Sequence, residues 1–382
     1  MFLNQTLFAD YQNLTKEKLS AAMQEAVNRT RAHIPDFRGG FPSTASKNGV
    51  YQKTGNVSWT EGFYTGVLWI CYEMTGEEIF RTVAEEEIDS FYDRIVNKEN
   101  VDHHDMGYLY SLSCVAGYKL TGNEKAKKAA LLAADQLIAR FQEKGQFIQA
   151  WGEMGKEDNY RLIIDCLLNL PLLYWASEVS GKEIYKKIAH AHLHTAAGVV
   201  FRPDASTHHT YYFDPETGAP KYGKTHQGYS DDSAWARGQS WGVYGLMLNY
   251  IYQQEDFIPP LWERVTDYFL DHLPSDRIAY WDLCFTDGAD QPRDSSSDSI
   301  TICGILEAYR QGICGEEYLH AAMSMMNALI DTCTTKDQPE SNGLVLHSTY
   351  SIWEGTDECN IWGDYFYMEA LIRFLRDWKL YW

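Results

Sequence analysis

With 382 residues, 45% of them hydrophobic and 14% aromatic, the chain can bury a large core, and no Pro/Ser-rich or low-complexity tract divides it. Lys+Arg 33 against Asp+Glu 53 gives a net charge of −20, which argues against nucleic acid or an anionic membrane surface as partner. Any anionic ligand must be held by local donors against that field.

The first residues, Met1-Phe2-Leu3-Asn4-Gln5, lack a basic segment followed by an apolar one, and no apolar run approaches the roughly 20 residues that span a bilayer. The 8 cysteines are scattered without a C-x-x-C pair, as expected of reduced thiols. A single cytoplasmic domain, 1–382, is the expectation.

Taken in chain order, helical patterns fall near 17–32, 58–75, 77–95, 105–121, 123–142, 160–180, 182–199, 232–253, 260–272, 294–310, 315–333 and 362–378. Gly76, Gly122, Gly181 and Gly315 mark short turns between them, each followed by acid-led helices. Helices after short turns are charged and amphipathic, such as Lys125–Leu131. Those after long loops are aromatic and glycine-rich, such as Trp59–Tyr64 and Trp362–Tyr367. An all-apolar helix belongs inside and a striped one outside. The alternation predicts an all-α (α/α)6 barrel, a six-hairpin toroid with its long loops at one end. Short strand-like patches such as Thr210–Phe213 are expected as hairpins in those loops. A superhelical solenoid is the rival architecture, but no polar capping repeat is visible.

In a closed toroid the starts of the inner helices converge. That gathers Trp59, His103, His104, Asp105, Tyr160, Arg161, Asp165, Trp235, Arg237, Trp241, Trp362 and Asp364, with Trp151, His208, His209 and Gln227 on loops between them. Aromatics and carboxylates in one concavity suit sugars, whose faces stack on rings and whose glycosidic chemistry needs a proton donor. Asp105 opens a helix, where an aspartate is most often a cap. Asp165 is predicted about a turn inside the 160–180 helix among apolar residues, where burial raises a carboxyl pKa. Its alternative is a core aspartate paired with Asn169 or Arg161. Arg237 between tryptophans is either a cation–π strut or an anion clamp.

Other signals are weaker. His190, His192 and His194 alternate on an outer helix with no third ligand placed near them. Asp287, Asp290 and Asp294 lack calcium-loop spacing. Gly238-Gln239-Ser240-Trp241-Gly242 spells a nucleophile elbow but follows no strand.

The stretches His104-Asp105-Met106-Gly107-Tyr108, Ile163-Ile164-Asp165-Cys166-Leu167-Leu168-Asn169-Leu170, His208-His209-Thr210, His226-Gln227-Gly228-Tyr229-Ser230, Trp235–Gly242 and Asp357–Tyr365 occur in this order. Together they resemble the unsaturated glucuronyl hydrolases, glycoside hydrolase family 88, from about Trp59 to Trp378. The resemblance implies a six-hairpin α/α barrel. It makes Asp165 the general acid/base and Asp105 the second aspartate, contacting ring hydroxyls. It also sets His209, Gln227, Arg237 and Trp241 around an unsaturated uronate, with Trp59 and Trp151 stacking on sugar. The implied reaction protonates a C4=C5 vinyl ether in a lyase-generated oligosaccharide, adds water at C5 and releases the aglycone, without metal or cofactor. Relatives that favour sulfated disaccharides carry Arg where His226 stands and a Ser/Lys loop where Thr349–Gly355 runs here; unsulfated substrates are therefore expected. The rivals are an unsaturated rhamnogalacturonyl hydrolase, a non-catalytic carbohydrate-binding toroid, and an epimerase needing a histidine pair.

Overall fold

A computed structural model describes all residues, 1–382. The outer helix α1 (Lys16–Phe37) leads, and the first hairpin joins α2 (Glu61–Thr75) to α3 (Glu78–Asn97). The second starts with α4 (Met106–Tyr110), passes through a π-helical turn at Ser111–Val115 into α5 (Ala116–Thr121), and returns as α6 (Glu124–Ile138). The third comprises α7 (Cys166–Asn169), α8 (Pro171–Ser180) and α9 (Glu183–Val199). Two further pairs follow, α10 (Ala236–Gln253) with α11 (Ile258–Asp271) and α12 (Ser295–Arg310) with α13 (Glu316–Thr332). The last helix is α14 (Ile361–Leu375).

Burial follows the sequence pattern. Helix α10 is buried from Ala236 to Asn249 without a break, whereas α11 buries only Ile258, Trp262, Val265, Thr266, Phe269 and Leu270, a single stripe. The inner helices pack in a ring: α2 on the second inner helix, α4 on α7, α7 on α10, α10 on α12, α12 on α14, and α14 back on α2. Helix α14 has no successor to cover it, and α1, from the other end of the chain, packs against it instead. The return of α14 onto α2 closes the toroid and excludes the open solenoid. No helix is long and apolar enough to cross a membrane.

Three of the four marked glycines end a helix in the left-handed region, Gly76 at φ 71°, Gly122 at 73° and Gly181 at 72°. The fourth does not. Gly312 (φ 70°) makes that turn, and Gly315 is the extended residue before α13.

The loops hold short strands, namely the hairpins β1 (Phe41–Pro42) with β2 (Lys53–Thr54) and β3 (Phe141–Gln142) with β4 (Phe147–Ile148). An antiparallel sheet orders β5 (Arg161–Ile163), β6 (Thr210–Phe213) and β7 (Pro220–Lys224) side by side. Strand β5 corrects the expected 160–180 helix. The apolar run before Asp165 pairs with a strand almost fifty residues away, a partner that helical periodicity cannot see. Asp165 thus stands immediately before α7 rather than inside a helix, and its side chain makes no capping bond.

Candidate active site

A ladder of backbone hydrogen bonds fixes the loop end of the toroid. His104 N donates to Ala150 O (2.8 Å), Ala150 N to Arg161 O (3.0 Å), and Ile164 N to His209 O (3.0 Å). Four remote segments are thereby aligned, carrying His104 and Asp105, Trp151, Asp165, and His209. Beneath them Gly107 lets α4 touch α7, because a Cβ there would lie 2.3 Å from Asn169 Cα. Tyr108 N donates to Asn169 Oδ1 at 3.0 Å across the same contact. Asp105 and Asp165, at the starts of these two helices, are consequently neighbours.

His104 Nε2 lies 3.3 Å from Asp105 Oδ1 and 3.5 Å from Asp165 Oδ1. Burial, then the charge of Asp105, pushes the Asp165 carboxyl well above its ordinary range, with Arg237 opposing. Its buried Oδ1 has no hydrogen-bond partner. For Asp105 burial works in the same direction, but His104 and a 3.0 Å contact from His103 Nδ1 outweigh it and hold that carboxyl below the usual range. Burial pushes His104 down to about 4, so it is neutral near pH 7. Since His104 Nδ1 is also buried without a partner, the ring proton sits best on Nε2, facing the two acids. The pair reads as one protonated and one ionised carboxyl.

His209 is a neutral donor. Burial drives its pKa well below the ordinary value, and its Nδ1 accepts from His226 N (3.0 Å) and Gln227 N (3.1 Å), leaving the proton on Nε2. Arg237 resolves toward the strut. Its guanidinium carbon is 4.4 Å from the Trp235 ring centre and 4.9 Å from that of Trp362. Nη1 donates to Asp294 (2.5 Å) and Thr349 O (2.7 Å), and Nη2 to Gln227 Oε1 (2.8 Å) and Tyr350 O (2.7 Å). With both terminal nitrogens committed and Asp294 cancelling its charge, Arg237 offers no free fork to an anion.

Trp59, Asp105, Trp151, Asp165, His209, His226, Gln227, Arg237 and Trp241 all line one cavity of about 240 Å³. Trp59 stacks on Trp362 with ring centres 5.2 Å apart, and Trp241 packs between Tyr108 and Phe366 at 5.6 Å from each. Ile163, His104, Trp235, Tyr350 and Glu354 complete the lining. The sequence reading gathers His104 and Trp235 at the helix starts without assigning either a task, and Tyr350 and Glu354 lie inside the divergent 349–355 loop. Asp364 is elsewhere, buried against Tyr51 Oη (3.0 Å) and Val345 N (2.9 Å). The donor atoms of His104, Asp105 and Asp165 lie within 4.8 Å of one another, but with its proton on Nε2 His104 offers that point a donor and no lone pair. A larger recess of about 620 Å³ near Glu73, Lys119 and Trp378, at the other end of the inner helices, has no carboxyl pair of this kind.

The sequence pattern of Glycosyl Hydrolase Family 88 matches residues 33–374. The chain belongs to this family. It is 47% identical to the unsaturated chondroitin disaccharide hydrolase of Streptococcus pneumoniae, over 98% of this chain and 96% of that one. The crystal structure of unsaturated glucuronyl hydrolase from Streptococcus agalactiae superposes with a TM-score of 0.96 at 44% identity, covering 100% of this chain and 98% of that one. An aspartate-to-asparagine variant of that enzyme, complexed with dGlcA-GalNAc6S, superposes at 0.89 with 40% identity, covering 100% and 97%. A second such variant changes an aspartate earlier in its chain by the same spacing that separates Asp105 from Asp165 here. The family, the glycoside hydrolase class and the helical toroid all agree with the sequence reading.

Proposed function

We propose that this chain removes a 4,5-unsaturated uronic acid from the non-reducing end of lyase-generated oligosaccharides by hydrating its C4=C5 double bond. The observation that carries the reading is Asp165, a carboxyl kept protonated by burial, with an unpartnered oxygen in an aromatic cavity beside an ionised Asp105. Asp165 gives its proton to C4, and positive charge develops across C5 and the ring oxygen. Asp105, ionised and mostly buried, holds the ring hydroxyls and stabilises that charge. Water then adds at C5 while the Asp165 carboxylate takes back a proton, so one group serves as acid and then as base. The hemiketal formed at C5 opens and the aglycone leaves.

The cavity has room for about one sugar ring, smaller than the ~300–1,000 Å³ of sites that enclose larger ligands. The aglycone therefore extends past Trp151, His226 and Glu354. The uronate carboxylate meets neutral donors, His209 Nε2 and the Gln227 amide, in keeping with the committed Arg237. No uncompensated Lys or Arg lines the cavity and Glu354 stands at its edge, which favours unsulfated over sulfated aglycones. The whole chain acts as one catalytic domain, since its apolar core is one cluster from Phe2 to Trp382. All eight cysteines are unpaired, which suits the cytoplasm.

The test is to follow loss of the double-bond ultraviolet absorbance on unsaturated disaccharides from hyaluronan, chondroitin and rhamnogalacturonan lyases. Turnover of the glucuronyl substrates, lost in Asp165→Asn with substrate affinity retained, is expected. Turnover confined to the rhamnogalacturonan product, or an Asp165→Asn enzyme as fast as the parent, overturns the proposal.

A further inference from the structure

On helix α9 the three alternate histidines separate by face. His192 turns inward, fully buried, with its Nδ1 accepting from Ile148 N at 2.7 Å. His190 and His194, four residues apart, share the outer face, with ring centres 4.4 Å apart. The third ligand that sequence spacing could not locate is Glu255, in the connection between α10 and α11. Gln254, at φ 48°, turns the chain there. Glu255 Oε1 lies 2.7 Å from His190 Nε2 and 3.5 Å from His194 Nε2, and the two Nε2 atoms are 3.2 Å apart.

Three donor atoms thus converge from two elements. A ring proton on His190 can bridge to Glu255, but when both rings turn their Nε2 lone pairs to the same point as the carboxylate, the three donors form a cradle for a cation. The spacing fits one. Zinc bonds of about 2.0–2.1 Å in tetrahedral geometry separate ligand atoms by roughly 3.3 Å. Two imidazoles and one carboxylate are donors for zinc and its neighbours, whereas magnesium and calcium take oxygen ligands. The side chains of His190 and His194 are each 45% exposed and that of Glu255 26%, so water can fill the remaining position. The Phe257 ring, 5.2 Å from that of His194, walls one side.

We propose that His190, His194 and Glu255 form a surface site for a divalent transition metal of the zinc class, tying α9 to the α10–α11 connection. The site is distinct from the catalytic one. Arg237 is at the start of α10 and Glu255 lies beyond its end, a separation of roughly 27 Å for 18 helical residues. Its role is structural, as a clasp between an outer helix and the end of an inner one.

The experiment titrates the chelator-treated protein with Zn2+ and, separately, Mg2+, by calorimetry and by thermal unfolding. The parent is expected to bind one more Zn2+ per chain than the His190→Ala/His194→Ala variant, and only the parent should gain Tm at this site. Co2+ should give the visible absorption of a tetrahedral site, lost in Glu255→Gln. Hydrolase activity without metal should match in all three proteins, which separates this site from His104, Asp105 and Asp165. Equal Zn2+ stoichiometry in parent and double variant, or a Tm gain equal in both, overturns the proposal. Should the double variant fold poorly, the single His190→Gln variant decides by the same two readings.

Discussion

Asp105 and Asp165 face a single imidazole nitrogen, His104 Nε2, at 3.3 and 3.5 Å. One neutral histidine has one proton to offer on that side, and two adjacent carboxylates repel, so the pair retains a proton of its own. Asp105 has His103 and His104 to stabilise its charge, whereas Asp165 Oδ1 has no partner, which assigns the proton to Asp165.

The pH dependence follows from that assignment. Turnover needs Asp165 protonated, so kcat/KM falls as pH rises through its elevated pKa. It needs Asp105 ionised, so the acid limb lies below the ordinary carboxylate range. Asp105→Asn removes the like charge that helps hold the Asp165 proton. The basic limb should move to lower pH, and the maximal rate should drop by roughly 10²-fold or more. A kcat/KM profile of the variant whose basic limb stays in place or moves upward contradicts the assignment.

The helices were legible because the hairpins set a largely apolar helix before an amphipathic one, acid-led after the turns at Gly76, Gly122, Gly181 and Gly312, a contrast carried by local sequence. What was hidden depends on distant partners. Strand β5 forms only because β6 lies beside it. Arg237 became a strut through Asp294 and the Thr349 and Tyr350 carbonyls, which no spacing rule connects to it. His104 gained its place from the backbone bond to Ala150, and Glu255 reached the α9 histidines only through the packing of the barrel. Trp59, Asp105, Asp165 and Arg237 met in one cavity because each stands at or beside the start of an inner helix, which the hairpin order already implied, whereas His209, His226 and Gln227 arrive on loops through bonds to Ile164 and to His209 Nδ1.

Gly107 sets the spacing of the two acids. An alanine Cβ there would come within 2.3 Å of Asn169 Cα and 2.6 Å of Asn169 O, both backbone atoms that cannot swing aside. Gly107→Ala should cost about 1–3 kcal/mol of stability through overpacking. Activity in the surviving fold should fall further, on the order of 10²-fold, because α4 and α7 carry the reacting groups apart. Gly198→Ala is the control. Its Cβ meets nothing within 4 Å and the site is helical, so Tm should rise slightly and kcat stay unchanged.

Glu354 sets the charge at the cavity edge. It is exposed, tethered by Ser351 Oγ at 3.0 Å, and no free cation offsets it in the lining. Kinetics on 6-sulfated and unsulfated chondroitin disaccharides should favour the unsulfated one. Glu354→Lys should raise the sulfated-to-unsulfated kcat/KM ratio by roughly two- to thirtyfold, since an exposed ion pair contributes about 0.2–1 kcal/mol and the reversal counts twice. Added salt should shrink that gain. A salt-independent ratio, unchanged by the substitution, removes Glu354 from substrate choice.

Glu87 places a testable penalty in the outer wall. On α3 it is buried, accepting from Thr65 Oγ1 at 2.6 Å through one oxygen while the other has no partner. Burial pushes its carboxyl from 4.5 up to about 8. Between those values the folded chain keeps a proton that the unfolded chain has released, so stability is greatest below the unfolded value. It declines by roughly 1.4 kcal/mol per pH unit until the folded value is passed. A Gln at this position stays neutral in both states and removes that one-proton slope. Asp364, raised to about 7, retains its own contribution in both proteins. Glu87→Gln should therefore be more stable than the parent near pH 8 and no more stable near pH 5, as read from denaturant midpoints at the two pH values. A difference of the same sign and size at both would show that Glu87 is ionised in the folded chain throughout.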